Sequence, residues 1–457
     1  MYAPPCATRG TLWFSPATGR RPTGSAENGG CSDRVREEAP GSSAAGHAER
    51  ATGRSGRSHG CPIIKSVTKT TAPPRVGGLF AGRSAPLHSS ALRRAAPALL
   101  AYAGVRAVVL LTLFVWSAAA DRDAYQLLSA RWDSLWYARI AADGYGHTTR
   151  LADGTTHPDL AFFPLLPWLE RLLSAVGPWD AAAAGVLVSA LASLAAAWGL
   201  FAIGEHLHGR RAGVLLAVLW AAMPVGIVQS MAYSESLFTA LAAWSLYAVL
   251  TERWVWAGSL AALAGLTRPV GAAVVAALWI TAAARLYRAR RLSPRVVAGL
   301  ALAPLGWFGY VVWVAMRRGS WTGYLDVQAE WGNGFDGGLA FAGFIGGYLT
   351  GPWPGPLAGV ALLLGVALVV GGLVLCVRAR QPLPLLVYAG TVVLLALCAK
   401  GYFGSKPRLL LPAFPLLLPP AVALAGARTR TAVAVTAGLT VVAAGYGAVW
   451  LLGSGPP

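Results

Sequence analysis

Apolar runs close to the length of a bilayer crossing recur along this chain from residue 96 onward. Covering ~30 Å of hydrocarbon takes about 18 to 20 such residues in a helix, and within lipid only helices or closed barrels satisfy every backbone polar group. The runs fall at 96–118, 180–204, 212–230, 234–250, 296–316, 357–376, 383–399, 409–426 and 431–452. Hydrophobic residues make up 55% of the chain and charged residues 12%. The class this defines is an all-α polytopic membrane protein, in which one bundle takes up residues 96–452 without dividing into globular domains.

Residues 1–95 read as a separate basic, low-complexity tail. Gly, Ser, Ala, Pro and Arg dominate it, apolar periodicity is absent, and it is expected to be disordered. A cleavable signal peptide is not expected, because the first apolar run begins only after Arg94. With no methionine between Met1 and Met223, a shorter natural product would need a non-AUG start. Residues 453–457 form a short C-terminal tail. The net charge of +19 divides into +9 for residues 1–95 and +10 for the rest. Cytoplasmic loops of membrane proteins are basic in any case, so no nucleic-acid partner is inferred. Cys6, Cys31 and Cys61 lie in the tail, and Cys376 and Cys398 in apolar runs. Without a CxxC pair or framework spacing, neither a disulfide nor a zinc site is expected.

Basic residues set the orientation. Arg93 and Arg94 precede the first span, which places them in the cytoplasm and delivers the stretch RWDSLWYARIAADGYG, 131–146, to the outer side. Between Arg253 and the basic cluster at 285–295 lie about thirty residues whose two ends both read as cytoplasmic. Two helices of ~13–16 residues reach only about 20 to 24 Å each, so a pair of short, broken helices is expected, with LTRPVG, 266–271, at its tip. Counting that pair, the expected bundle has about eleven transmembrane segments. AFFPLLPWLERLL, 161–173, reads as an aromatic-proline turn into an interfacial amphipathic helix with Glu170 and Arg171 on its polar side. The loop 320–353 reads as an acceptor-facing segment on the outer face.

From residue 96 onward, all of the acids except Glu205 and Glu252 fall on the outer side of this topology. Asp133 has Arg131 two residues before it and Trp136 and Tyr137 three and four residues after it, where helical spacing brings the aromatics over its face. Two readings stand: a desolvated, cation-paired general base, or a surface ion pair in an interfacial aromatic belt. Glu235 reads as an acid that orients acceptor hydroxyls or pairs with Arg268, or else as a helix-start acid near Ser234. Arg268, between short intramembrane helices, is costly there and reads as functional. Lys406 and Arg408 are either phosphate ligands or headgroup anchors. Three motifs are declined. Asp121-Arg122-Asp123 has metal–nucleotide-sugar spacing but sits outside, His206 and His208 do not share a helical face, and GFIGG at 343–347 has no strand before it.

In order along the chain, RWDSLWYARIAADGY, FFPLLP, YSESLF, LTRPVG and KPRLLLPAFPLL resemble the PIG-V-type mannosyltransferases, glycosyltransferase family 76, including their actinobacterial relatives. The resemblance runs from about residue 96 to 452. It implies the GT-C architecture and an inverting transfer of a sugar, commonly mannose, from a polyprenyl-phosphate donor on the non-cytoplasmic face of the cell membrane. It also implies that the family's WD aspartate falls on Asp133 as the base, its Tyr-x-Glu glutamate on Glu235 and its arginine before Pro on Arg268. The candidate site is then Asp133 as catalytic residue, with Arg131, Trp132, Tyr137, Phe163, Tyr233, Glu235, Arg268, Lys406 and Arg408 binding substrate. The acceptor would be a lipid, glycan or protein hydroxyl; no cofactor is firmly expected, and a divalent metal stays open without support from the sequence. The competing class is a lipid-linked sugar transporter or flippase, which also uses polar sites at broken helices. No internal repeat is visible, and the charged motifs collect on one face instead of at the midplane.

Overall fold

A computed structural model describes residues 87–150, 154–291, 293–453 and 455. It is a predominantly helical membrane bundle with two short strand pairs in its loops. Most of the expected tail therefore lies outside the described residues, but its last part does not: the opening helix, Leu87–Ala119, starts well before residue 96 and carries Arg93 and Arg94 within it. Among the described residues, six helices are long and apolar enough to cross a membrane, or eight if each of two bent pairs counts as one span. Four further apolar helices, Glu235–Leu250, Trp254–Gly265, Leu339–Leu349 and Leu383–Cys398, are shorter than 18 residues.

At the centre lies Ala181–His208, 28 residues capped by Asp180, whose carboxylate accepts from Ala183 N–H. Its buried face repeats at i, i+4 through Ala184, Val188, Ala192 and Ala196, and through Gly185, Ser189 and Ser193. These small residues let neighbouring backbones approach closely, as packing between membrane helices requires.

Two spans expected to be continuous are broken. Pro224 cannot donate into the helix Arg210–Ala221, and the chain turns by 87° into a 3-10 segment, Pro224–Ser230. Proline-rich sequence similarly divides Phe403–Leu410 from Phe414–Gly426 with a 68° bend. A break in lipid is tolerated where side chains satisfy the freed backbone groups, and the opening helix supplies them. Arg106 donates from Nη1 to Ala221 O at 3.5 Å, the carbonyl at the end of the broken helix, and from Nη2 to Ser230 Oγ at 2.8 Å, while Tyr102 hydroxyl holds Gln229 by donating to its Oε1 at 2.8 Å. Gln229 in turn donates to Trp220 O at 2.8 Å. Trp220 Nε1 then donates to Leu411 O at 3.2 Å, tying one break to the other.

The expected pair of short helices is half correct. Trp254–Gly265 is short, but its partner Ala272–Ala289 has 18 residues and qualifies as a full span together with Pro269–Gly271. The basic residues that suggested an earlier stop continue the helix, Arg285 pairing with Glu252, because long cationic side chains carry their charge to the interface. The loop 320–353 is also more regular than expected. It contains Gly323–Glu330 and Leu339–Leu349, and GFIGG lies inside the latter. A two-residue strand there, Gly334–Phe335, pairs antiparallel with Ala399–Lys400.

Trp254–Gly265 packs against Pro294–Leu302 and Leu305–Arg318 at backbone contact. A Cβ added at Gly306 would fall on the Ala262 carbonyl, 2.7 Å from its carbon, whereas one at Gly309 would meet nothing within 4 Å. Gly306→Ala is therefore expected to destabilise the bundle by about 1–3 kcal/mol through overpacking. Gly309→Ala is the control, and equal thermal midpoints of the two variants in detergent would contradict the close approach.

Candidate active site

The helix Asp133–Asp143 begins abruptly. Trp132 adopts φ +51° and ψ −117°, a strained conformation for a residue with a side chain, and it turns the chain so that Asp133 occupies the first helical turn. There the helix dipole favours an anion. Asp133 N–H donates to the Tyr233 hydroxyl at 3.4 Å, which ties this turn to the segment that follows the first broken span.

That segment leads into Glu235–Leu250. Glu235 is enclosed, with 1% of its side chain exposed, and its Oε1 faces two guanidiniums: Arg268 Nη1 at 2.5 Å and Arg408 Nε at 3.3 Å. Arg408 comes from the short helix Lys406–Leu410 at the second break, and its Nη1 reaches Asp133 Oδ2 at 2.7 Å. Its guanidinium also lies over the Tyr233 ring, 5.1 Å from the centroid. Arg268 sits where the chain turns from Trp254–Gly265 into Pro269–Gly271, and its Nη1 donates to Ser234 Oγ at 3.1 Å. The Tyr137 hydroxyl meets the same Ser234 Oγ at 2.9 Å, and burial holds that phenol well above its ordinary titration range, so it stays un-ionised. Asp133 is the most open of the four charges, 24% exposed against 10% for Arg408 and 11% for Arg268. It is the carboxylate a ligand can reach.

The structure thus brings Asp133, Tyr137, Tyr233, Glu235, Arg268 and Arg408 into one network, and it adds Ser234, the hinge between Tyr137 and Arg268. Ser234 precedes a helix-start acid and reads in sequence only as capping material. Four other candidates lie elsewhere. Arg131 donates to the carbonyls of Leu451 and Gly453, the latter at 3.0 Å, at the end of the last helix. It also covers the Trp132 ring, 4.0 Å from its centroid, so both are engaged in holding that helix end. Phe163 is buried against Tyr310 and Tyr324. Lys406 donates to Ala396 O at 2.6 Å and to Ala399 O, over Phe341 and Phe403. It lies two residues from Arg408, and such neighbours point away from each other on a helix.

Trp136 continues the site into an aromatic wall, stacked on Phe162 at 5.5 Å with Trp331 edge-on at 5.2 Å. The loop beneath is fixed by Asp159, whose Oδ2 accepts from the Gly146 and His147 N–H groups at 2.9 Å. Asp123 of the declined Asp121-Arg122-Asp123 motif caps Ala124–Ser129 by accepting from Tyr125 N–H.

Glu170 contradicts its expected place on a polar face. Leu165–Val176 buries it completely against Ala181–His208, and neither carboxyl oxygen has a hydrogen-bond partner among the described residues. The space comes from Gly185: a Cβ there would lie 2.5 Å from Glu170 Oε1. Burial raises its carboxyl well above the usual glutamate range, so the folded form keeps its proton. The unfolded chain then binds fewer protons between the ordinary glutamate range and the raised value, and stability falls as pH rises through that window, by up to ~1.4 kcal/mol per pH unit. Glu170→Gln is expected to flatten this slope in detergent-phase melting. An unchanged slope would mean that the carboxyl is ionised in the fold.

The fold and this site define a class: a multi-span helical membrane protein whose broken spans gather two carboxylates and two guanidiniums in one partly open cluster. Residues 156–313, about a third of the chain, match a family model described as dolichyl-phosphate-mannose-protein mannosyltransferase. That region includes Glu235 and Arg268 but neither Asp133 nor Arg408. Among solved structures, the chain is similar to ArnT from Cupriavidus metallidurans bound to undecaprenyl phosphate, at 16% identity and a TM-score of 0.43, over 74% of this chain and 62% of that one. It is also similar to the oligosaccharyltransferase AglB from Archaeoglobus fulgidus in complex with an inhibitory peptide and a dolichol-phosphate, at 12% identity and a TM-score of 0.42, over 77% of this chain and 56% of that one. The chain therefore spans roughly three fifths of the length of these structures, and likeness at this level does not bear on the chemistry of the site. No curated protein matches the sequence.

Proposed function

We propose that the protein is an inverting membrane glycosyltransferase of the GT-C type and the PIG-V kind. It moves a sugar, mannose on the strength of the family resemblance, from a polyprenyl-phosphate donor to a hydroxyl of a lipid, glycan or protein on the extracytoplasmic face. The observation that carries this reading is the pairing of an accessible carboxylate, Asp133, with Arg408 at 2.7 Å and, through Glu235, with Arg268. The family match over 156–313 supports the donor class.

Asp133 accepts the proton of the acceptor hydroxyl as that oxygen forms its bond to the anomeric carbon. The bond from that carbon to the lipid-phosphate oxygen breaks on the opposite face, and its electron pair leaves with the phosphate. Arg408 and Arg268 hold the charge that develops there, in a site where little water weakens the interaction. Glu235 keeps the two guanidiniums together between turnovers.

The test supplies membranes containing the protein with polyprenyl-phosphate mannose, labelled in the sugar, and with an acceptor extract. Release of free polyprenyl phosphate together with labelled product is expected. Movement of intact donor across the bilayer without cleavage would replace this reading with a flippase. Sealed vesicles of both orientations show which face carries the activity.

A further inference from the structure

Away from the charge network, the opening helix Leu87–Ala119, Arg210–Ala221 and Thr429–Leu452 line an open apolar groove of about 590 Å³. Ala101, Gly104 and Val108 form one side, Ala437 and Val441 another, and Arg211 lies in its lining. Arg211 Nη2 donates to Ala427 O at 2.8 Å, which brings the starts of two helices together and with them Arg210, Arg428 and Arg430. All four arginines are exposed. No ion pair engages any of them among the described residues, and Glu205, at the end of the preceding helix, is paired with Arg94.

A basic cluster at the mouth of an apolar groove in a membrane-spanning surface matches one occupant. We infer that this face binds an anionic phospholipid, its phosphate against Arg211, Arg428 and Arg430 and one acyl chain in the groove. Length agrees with this. The twelve steps from Thr429 to Val441 rise about 18 Å at ~1.5 Å per residue, close to the ~15 Å depth of one leaflet's hydrocarbon. The charge sign selects the headgroup, since basic residues at the lipid surface attract anionic lipids and not zwitterionic ones.

The experiment is native mass spectrometry of the whole protein in detergent, titrated with phosphatidylglycerol or with phosphatidylcholine of the same acyl chains. One phosphatidylglycerol is expected to be retained in preference to phosphatidylcholine. The double variant Arg211→Ala, Arg428→Ala is expected to bind phosphatidylglycerol about thirtyfold more weakly, equivalent to ~2 kcal/mol, and to lose the preference. Gly104→Leu, where an added Cβ meets nothing within 4 Å, fills the groove and lowers retention of both lipids. Equal retention of the two lipids by the unaltered protein would overturn the inference, as would an undiminished preference in the double arginine variant.

Discussion

Asp133→Asn is expected to reduce turnover by about 10²- to 10⁴-fold, the usual worth of a positioned general base, while the protein keeps its fold. The substitution preserves shape. Arg408 retains Glu235 at 3.3 Å, and the Asp133 N–H contact to Tyr233 is made by the backbone, so the supports of the site survive. What disappears is the oxygen that, on the proposed mechanism, accepts the proton of the acceptor hydroxyl. The measurement pairs released polyprenyl phosphate with the thermal midpoint of the same preparation. Turnover within a few-fold of the unaltered protein would remove Asp133 from the chemistry. Should the midpoint collapse together with activity, the Asp133–Arg408 pair is a structural tie instead.

The second large effect concerns stability. Glu235 is the anion that two arginines share, with its side chain 1% exposed. Glu235→Leu leaves Arg268 and Arg408 facing each other without it, and breaking a buried pair in this way typically costs about 3–5 kcal/mol. Adding Arg268→Met removes one of the stranded cations and is expected to recover part of that loss. A double-mutant cycle separates the coupling from the individual effects. Additive losses, with no recovery, would show that Glu235 and Arg268 are stabilised independently.

Chemical type and order along the chain made much of this site legible. Asp133, Glu235, Arg268 and Arg408 stand out because ionisable residues beside apolar runs need partners, and all four meet in the fold. Helical geometry separates the rest. Arg131 adjoins the aspartate's turn, yet the strained backbone of Trp132 intervenes, and its guanidinium serves the end of the last helix. Lys406 faces away from Arg408 for the same geometric reason that declined His206 and His208. Glu170 shows where local pattern ends: adjacent residues on a helix are about 100° apart, and only the missing Cβ of Gly185, on another helix, makes room to bury one and leave the other outside. The bends at Pro224 and beyond Leu410 were masked because apolar composition continues across both.

The quartet of charges at the site carries a kinetic consequence. Two anions and two cations cancel, so the cluster projects little long-range field and does not steer a charged molecule from bulk solution. If the proposed lipid-linked donor is the substrate, encounter is then governed by travel within the plane of the bilayer, and its rate should respond to membrane fluidity far more than to the salt concentration of the surrounding buffer.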